Sequence, residues 1–236
     1  MSVPARKNAV GAASAFRMAG VLLAFTLIFT SLLALAQKWT LPVIEASRAA
    51  AKMKFINEVL PARRYPYDND LLADTLLLPP TPELGLNAES RVYRARKNGT
   101  PVALVLEAVA PDGYADEIRL ILGVTRQGTI TGVRVVAHKE TPGLGDYVDL
   151  KKDKDKKHPW ILQFDGLNYP GLPDGAWQVR KDKGHFHYRV GATVSPRAVI
   201  RAVHRAARFA VANHERLFYA ESKENATPAE ETAHDE

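Results

Sequence analysis

The sequence predicts an α+β fold, a twisted antiparallel sheet with packed helices, exported behind an N-terminal single transmembrane helix. Three observations lead there. Between positions 91 and 137 strand-like runs follow one another with Asn98-Gly99, Asp112-Gly113 and Gln127-Gly128 as turn signals, the pattern of an antiparallel meander. No stretch between those runs is long enough for a crossover helix, which argues against a doubly wound parallel sheet. Beyond position 196 the periodicity turns helical, with Val199, Val203, Ala206 and Ala210 forming an inward stripe.

The elements are expected in this order. Residues 1–17 form a short N-terminus carrying Arg6, Lys7 and Arg17 without an acidic partner. The uncharged run that follows, 18–37 as a transmembrane helix, is about as long as a bilayer core requires. The positive-inside rule then places the N-terminus in the cytoplasm and the rest of the chain outside. Ala34-Leu35-Ala36 resembles a signal-peptide cleavage site, but the apolar run is longer than a usual signal core, so a retained anchor is preferred. Residues 38–78 supply a juxtamembrane helix and linker; after Pro42, apolar Ala49, Met53, Ile56 and Leu60 recur three or four apart until Pro61 stops the pattern.

The main domain is read as 79–219. It opens on Pro79-Pro80-Thr81-Pro82, continues through strands at 91–96, 101–108, 117–124 and 129–137, and adds strands near 160–164, 177–180 and 185–190. A closing helix runs from 196 to about 219. Residues 220–236 form an acidic, Ala- and Thr-rich tail without apolar anchors, which reads as disordered.

Composition narrows the chemistry. The chain has 32 Lys and Arg against 26 Asp and Glu, a formal charge of +6, and no cysteine. Disulfides, thiolate metal sites and cysteine-held iron–sulfur clusters are therefore excluded. Lys151, Lys152, Lys154, Lys156 and Lys157 are interleaved with Asp153 and Asp155 and not with aromatics, so they read as a solvated loop and not a nucleic-acid patch. His185 and His187 alternate on an expected strand, yet no third ligand at a suitable spacing supports a metal.

Two segments carry the functional reading. In Val190-Gly191-Ala192-Thr193-Val194-Ser195-Pro196 a threonine stands where an expected strand gives way to a helix, with Ser195 read as N-cap and Pro196 as the first helical residue. Free N–H groups and the helix dipole make such a junction suit a phosphate, although an ordinary capped helix would look the same. Upstream, His138-Lys139-Glu140-Thr141-Pro142-Gly143-Leu144-Gly145-Asp146 breaks a strand with one Pro and two Gly, which implies a loop of specific shape. Trp160 is read as returning the chain to the core.

The run HKETPGLGD, the segment Trp160-Ile161-Leu162-Gln163-Phe164-Asp165-Gly166, the later GAT-x-S-P-R-A-V, and Leu60-Pro61 with Tyr67-Asp68-Asn69-Asp70-Leu71 together resemble the G subunit of Rnf-type ion-translocating electron transport complexes. That family is related to the C subunit of the sodium-translocating NADH:quinone reductase. The resemblance implies FMN esterified through its phosphate to Thr193 by a dedicated flavin transferase. It also implies a bacterial inner-membrane location with a periplasmic domain, and partners among the other membrane and redox subunits of the complex. Cofactor contacts are then expected at Gly191, Ala192, Thr193 and Ser195, and at His138, Glu140, Thr141, Pro142, Gly143, Leu144 and Gly145. No residue of the chain is expected to catalyse alone; the flavin would relay electrons. The chain departs from the family's Asp-x-x-Ser/Thr-Gly-Ala-Thr pattern at His187 and Val190. The alternative is a membrane-tethered domain of the same fold with a binding or regulatory role and no covalent flavin.

Overall fold

The computed structural model describes residues 6–220, arranged as two compact units that divide after Ala51. Apart from Ala220, the expected tail lies outside the described residues. In the first unit the chain is helical from Arg6 onward, and this helix, α1, continues to Val59. Its apolar part is long and apolar enough to cross a membrane by length and composition, and the residues of its most apolar stretch are exposed. Two helical segments separated at Pro42 were expected; one helix runs through it instead. A proline removes one backbone hydrogen bond, a loss that a long run of good helix formers on either side can absorb.

The second unit is built on a five-stranded sheet. Strands β1 (Thr75–Leu78), β2 (Ser90–Lys97), β3 (Thr100–Ala110), β4 (Ile118–Thr125) and β5 (Ile130–Ala137) pair in that order, each antiparallel to the next. The meander therefore forms at the turns the dipeptides mark. Strand β1 was not expected, because four apolar residues before a proline cluster show too little alternation to separate a strand from a linker.

Both faces of the sheet are covered, which is why its strands read as nearly continuous apolar runs. On β3, Leu104 and Leu106 face one core and Ala103 and Val105 the other, as the two-residue period of a strand requires. The larger core is closed by a helix, α2 (Val194–Ala212), through Val199, Val203, Ala206 and Ala210. The smaller core takes the last turn of α1, where Ile56, Val59 and Leu60 meet Tyr93, Val105 and Ile121. Here the sheet is dented. Gly123 and Gly132 face each other across β4 and β5, and a Cβ on Gly132 would stand 2.9 Å from the Val59 Cα. Thr131 Oγ1 donates 2.5 Å to the Val59 carbonyl, satisfying one of the acceptors that a helix end leaves without an intrahelical donor.

Beyond β5 the structure departs from the expected strands. Residues Trp160–Phe164, Tyr169–Gly171, Asp174–Ala176 and Arg180–Asp182 form short 3-10 turns, and only isolated bridges, such as Val179 with Phe186, stand where strands were expected. The apolar residues that imitated strand alternation are aromatic anchors. Trp160, Phe164, Phe186 and Trp177 follow one another with centroids 5.7, 4.7 and 5.5 Å apart. Side-chain packing of this kind stabilises irregular backbone without a ladder. The closing helix is also two elements, since α2 ends at Ala212 and α3 (His214–Tyr219) begins after Asn213, whose Nδ2 donates 2.9 Å to the Phe209 carbonyl.

Gly132→Ala is expected to destabilise this unit by about 1–3 kcal/mol, the cost of overpacking against backbone that cannot move aside. Urea unfolding of the detergent-solubilised chain, followed by tryptophan fluorescence, measures it; an unchanged midpoint would contradict the close approach.

Candidate functional site

Thr193 stands at the N-terminus of α2, reached from a tight turn and not from a strand. The Ala192 amide donates 3.2 Å to the Arg189 carbonyl, and Gly191 sits in that turn with φ +86°, a conformation that glycine adopts without a Cβ penalty. Thr193 is half-buried, makes no side-chain capping bond, and its carbonyl accepts the Arg197 amide at 3.2 Å. The N-cap position is therefore Thr193, and Ser195, expected there, is already inside the first turn.

Ser195 does something else. It is buried, and its hydroxyl donates 2.5 Å to Glu140 Oε2. The other carboxylate oxygen of buried Glu140 accepts the Tyr114 amide at 2.9 Å and the Ala115 amide at 3.3 Å. One carboxylate thus ties the turn between β3 and β4, the loop after β5 and the first turn of α2. Gly145 lies against this knot: a Cβ there would collide with Ser195 Oγ and Glu140 Oε2.

A second tie is made by Tyr147. Its hydroxyl donates 2.8 Å to the Ala192 carbonyl and accepts the Arg189 amide at 3.2 Å, so it clasps both ends of the turn that presents Thr193. Burial pushes the Tyr147 phenol up, which the hydrogen bond from the Arg189 amide only partly opposes. The phenol keeps its proton, and with it the donor that Ala192 needs.

The remaining residues of the loop spread over its outer side. Half-buried His138 accepts the Glu140 amide on Nδ1 at 3.1 Å and has Nε2 3.8 Å from Asp149. Thr141 is half-buried, while Pro142, Gly143 and Leu144 are exposed, Gly143 with φ +79° and its amide donating 2.9 Å to Asp146. Lys139 reaches away to Asp116 at 2.6 Å. The structure therefore brings the two predicted segments together through Glu140, Gly145 and Ser195.

The lysine-rich loop was expected to be solvated, but its centre is buried. Asp153 at its centre is fully buried: it accepts the Trp160 amide at 2.8 Å and the Asp155 amide at 2.9 Å, and pairs with Arg189. Trp160 in turn donates from its indole 2.6 Å to the His187 carbonyl, and the His187 amide donates 2.7 Å to Gln163. Asp153, Gln163 and Tyr147 thus fix the segment leading to Thr193, and sequence reasoning missed all three. Alternating charge concealed Asp153; its place midway between motif loop and Trp160 was the available signal. His185 and His187 are exposed and do not lie on a strand. Among the described residues no group of three or more ligand-type side chains forms a metal cluster.

An anionic group at Thr193 fits this arrangement. The first amides of α2 have no intrahelical acceptor, and the helix dipole favours negative charge there. Arg197 holds Nη1 3.3 Å from Thr193 Oγ1. A Cβ at Gly191 would meet open space, and a cleft of about 720 Å³ lies beside the preceding residues, bordered by Trp160, Gln163, His187, Tyr188 and Arg189. One hydroxyl, one cation, open amides and adjacent room meet the needs of a nucleotide phosphate with a ring attached.

Comparisons with known proteins define a class: an FMN-binding domain that follows an apolar N-terminal helix. Residues 113–208 match the family model of the FMN-binding domain, and residues 1–59 match that of the RnfG N-terminal region. A protein of Pseudomonas aeruginosa, named as the G subunit of an ion-translocating oxidoreductase complex, is 45% identical over 204 residues, covering 86% of this chain and 92% of the relative. Proteins of the same name from Escherichia coli O157:H7 and Vibrio cholerae are 42% and 37% identical, over 80% and 86% of this chain and 87% and 94% of their own lengths. The chain belongs to the RnfG family, the G subunits of ion-translocating oxidoreductase complexes.

Glu140→Ala leaves the Ser195 hydroxyl and two amides without their acceptor, and is expected to cost about 2–3 kcal/mol, with Glu140→Gln milder because one acceptor oxygen remains. Chemical denaturation measures both. Equal midpoints for Glu140→Ala and the parent chain would show that the knot contributes no stability.

Proposed function

We propose that this chain is the single-pass flavoprotein subunit of an ion-translocating oxidoreductase complex and relays electrons through FMN esterified to Thr193. The observation that carries the reading is the junction itself: a half-buried threonine hydroxyl free of capping duty, beside a guanidinium, at the first turn of a helix in a domain matched to FMN binders. The names of the relatives, subunits of an ion-translocating oxidoreductase complex, support a role among other membrane and redox subunits.

Bound flavin would accept electrons and pass them on, and the protein's part is to hold and surround it. Thr193 provides the tether. Esterification replaces its Oγ1–H bond by an Oγ1–P bond; the proton goes to a base of the flavin transferase, and the phosphorus gives up the leaving group of a flavin nucleotide activated as a phosphoanhydride. No oxidation state changes in that step. The amides of Val194 and Ser195, at the first turn of α2, would be the backbone donors to the anionic oxygens. The outer loop residues His138, Thr141, Pro142, Gly143 and Leu144 would contact the flavin from the loop side, with Glu140, Gly145 and Ser195 fixing the loop's position from behind. The turn through Gly191 and Ala192 keeps the approach open.

The N-terminal charges Arg6, Lys7 and Arg17 support an inner-membrane anchor with its N-terminus in the cytoplasm and the flavin domain in the periplasm. The alternative, a tethered domain without covalent flavin, draws on the family's usual acidic and hydroxyl positions being His187 and Val190. Both are exposed, Val190 at 92%, and neither side chain takes part in the ties that present Thr193.

Thr193→Val is expected to abolish covalent flavin while changing the unfolding free energy of the chain by no more than about 0.5 kcal/mol, since the hydroxyl makes no capping bond and accepts only one long hydrogen bond, 3.3 Å from Arg197. Mass spectrometry of the peptide spanning residue 193, from protein expressed with its own transferase, checks this. Flavin retained on the variant would move the attachment point elsewhere, and an unmodified wild-type peptide would favour the alternative.

A further inference from the structure

Thr193 Oγ1 has a cationic neighbour whose orientation is fixed by a third residue. Arg197 stands four positions after Thr193, so the two share one face of α2. Its Nη1 lies 3.3 Å from Oγ1. The opposite edge of the same guanidinium is occupied: Nε donates 2.7 Å to Asp182 Oδ2 and Nη2 donates 2.8 Å to Asp182 Oδ1. Asp182 closes the turn Arg180–Asp182, which Lys183 ends with φ +65°. Hydrogen bonds from Arg197 hold the Asp182 carboxyl below the usual carboxylate range, so the clamp is ionised at neutral pH.

A simple tie between this turn and α2 would need only the Nε and Nη2 edge. The remaining nitrogen is aimed at the threonine oxygen. A guanidinium can serve a carboxylate on one edge and a phosphate on another because its donors are coplanar and fixed; an ammonium has no such division. We propose that Arg197, oriented by Asp182, is the phosphate-binding residue of this site, holding the Thr193 hydroxyl for esterification and afterwards the anionic oxygens of the diester. The assignment rests on the flavin reading above. It adds Arg197 as a direct contact and Asp182 as a positioning residue.

The test uses the full chain co-expressed with its own flavin transferase at limiting level. Covalent flavin is followed over time by intact mass and in-gel fluorescence for the parent, Arg197→Gln, Arg197→Lys and Asp182→Asn. Arg197→Gln is expected to load at least about tenfold more slowly, the loss of one charge-assisted contact. Arg197→Lys and Asp182→Asn should fall between, because each keeps a cation but not its fixed direction. In the loaded, folded Arg197→Lys protein the phosphorus NMR resonance should differ from that of the parent, and the two should coincide in urea; a purely structural arginine would not move it. Loading of Arg197→Gln at the parental rate overturns the proposal. If that variant does not fold, Arg197→Lys with an unchanged unfolding midpoint carries the test, and parental loading with an unshifted resonance overturns it. A parent chain without flavin would instead sink the flavin reading, and the proposal with it.

Discussion

The hydrogen bond between Ser195 and the buried carboxylate of Glu140 is the constraint on which the site depends. It joins two segments 55 positions apart, and the Tyr114 and Ala115 amides on the other oxygen extend the join to the turn before β4. A buried carboxylate without such donors would be costly, whereas one with three donors fixes every element that supplies them. Gly145 is required there because any side chain would enter the space of the bond itself. The motif loop and the Thr193 junction are therefore one structure. Tyr147 completes it from the other side by clasping Arg189 and Ala192.

The sheet explains why this structure can be held in place. Strands β3 and β4 are buried on both faces, by α2 on one and by the last turn of α1 on the other. The inward stripe of α2 fixes the helix against the sheet, so its N-terminus is fixed too, and Thr193 with it. Beyond β5 the chain runs largely without ladder hydrogen bonds, yet aromatic contacts and the buried Asp153 hold it in place. Rigid support behind an open rim suits the proposed tethered cofactor, since a tether would limit how far the ring could move and the scaffold how far the tether could.

Much of this was legible in the sequence, and the failures have physical causes. Turn dipeptides located the meander: Asn98, Gly99 and Gly128 take positive-φ conformations that most residues avoid, while Asp112-Gly113 marks the longer loop between β3 and β4 without one. The stripe of Val199, Val203, Ala206 and Ala210 located α2. Strands expected at 160–164, 177–180 and 185–190 are 3-10 turns and coil, because Trp160, Trp177 and Phe186 are spaced for packing with one another and the same spacing imitates alternation. Pro42 was read as a boundary although a long helix tolerates it. HKETPGLGD and GAT mark two segments that the structure brings together at Glu140, Gly145 and Ser195. The division of labour between them was hidden, because Glu140 and Ser195 look like ligand-facing polar residues until the fold turns them toward each other. Asp153 was hidden among lysines, since one-dimensional charge pattern carries no information about which carboxylate the loop folds inward.

The central claim is that a phosphodiester joins Thr193 to flavin. Phosphorus NMR of natively expressed protein, unfolded in urea and freed of small molecules, tests it most directly. The account predicts one phosphorus signal that stays with the chain and does not titrate between about pH 5 and 8, because a diester lacks the second ionisation near pH 6 of a monoester. A chain without phosphorus, or a signal that shifts through about pH 6, would contradict it.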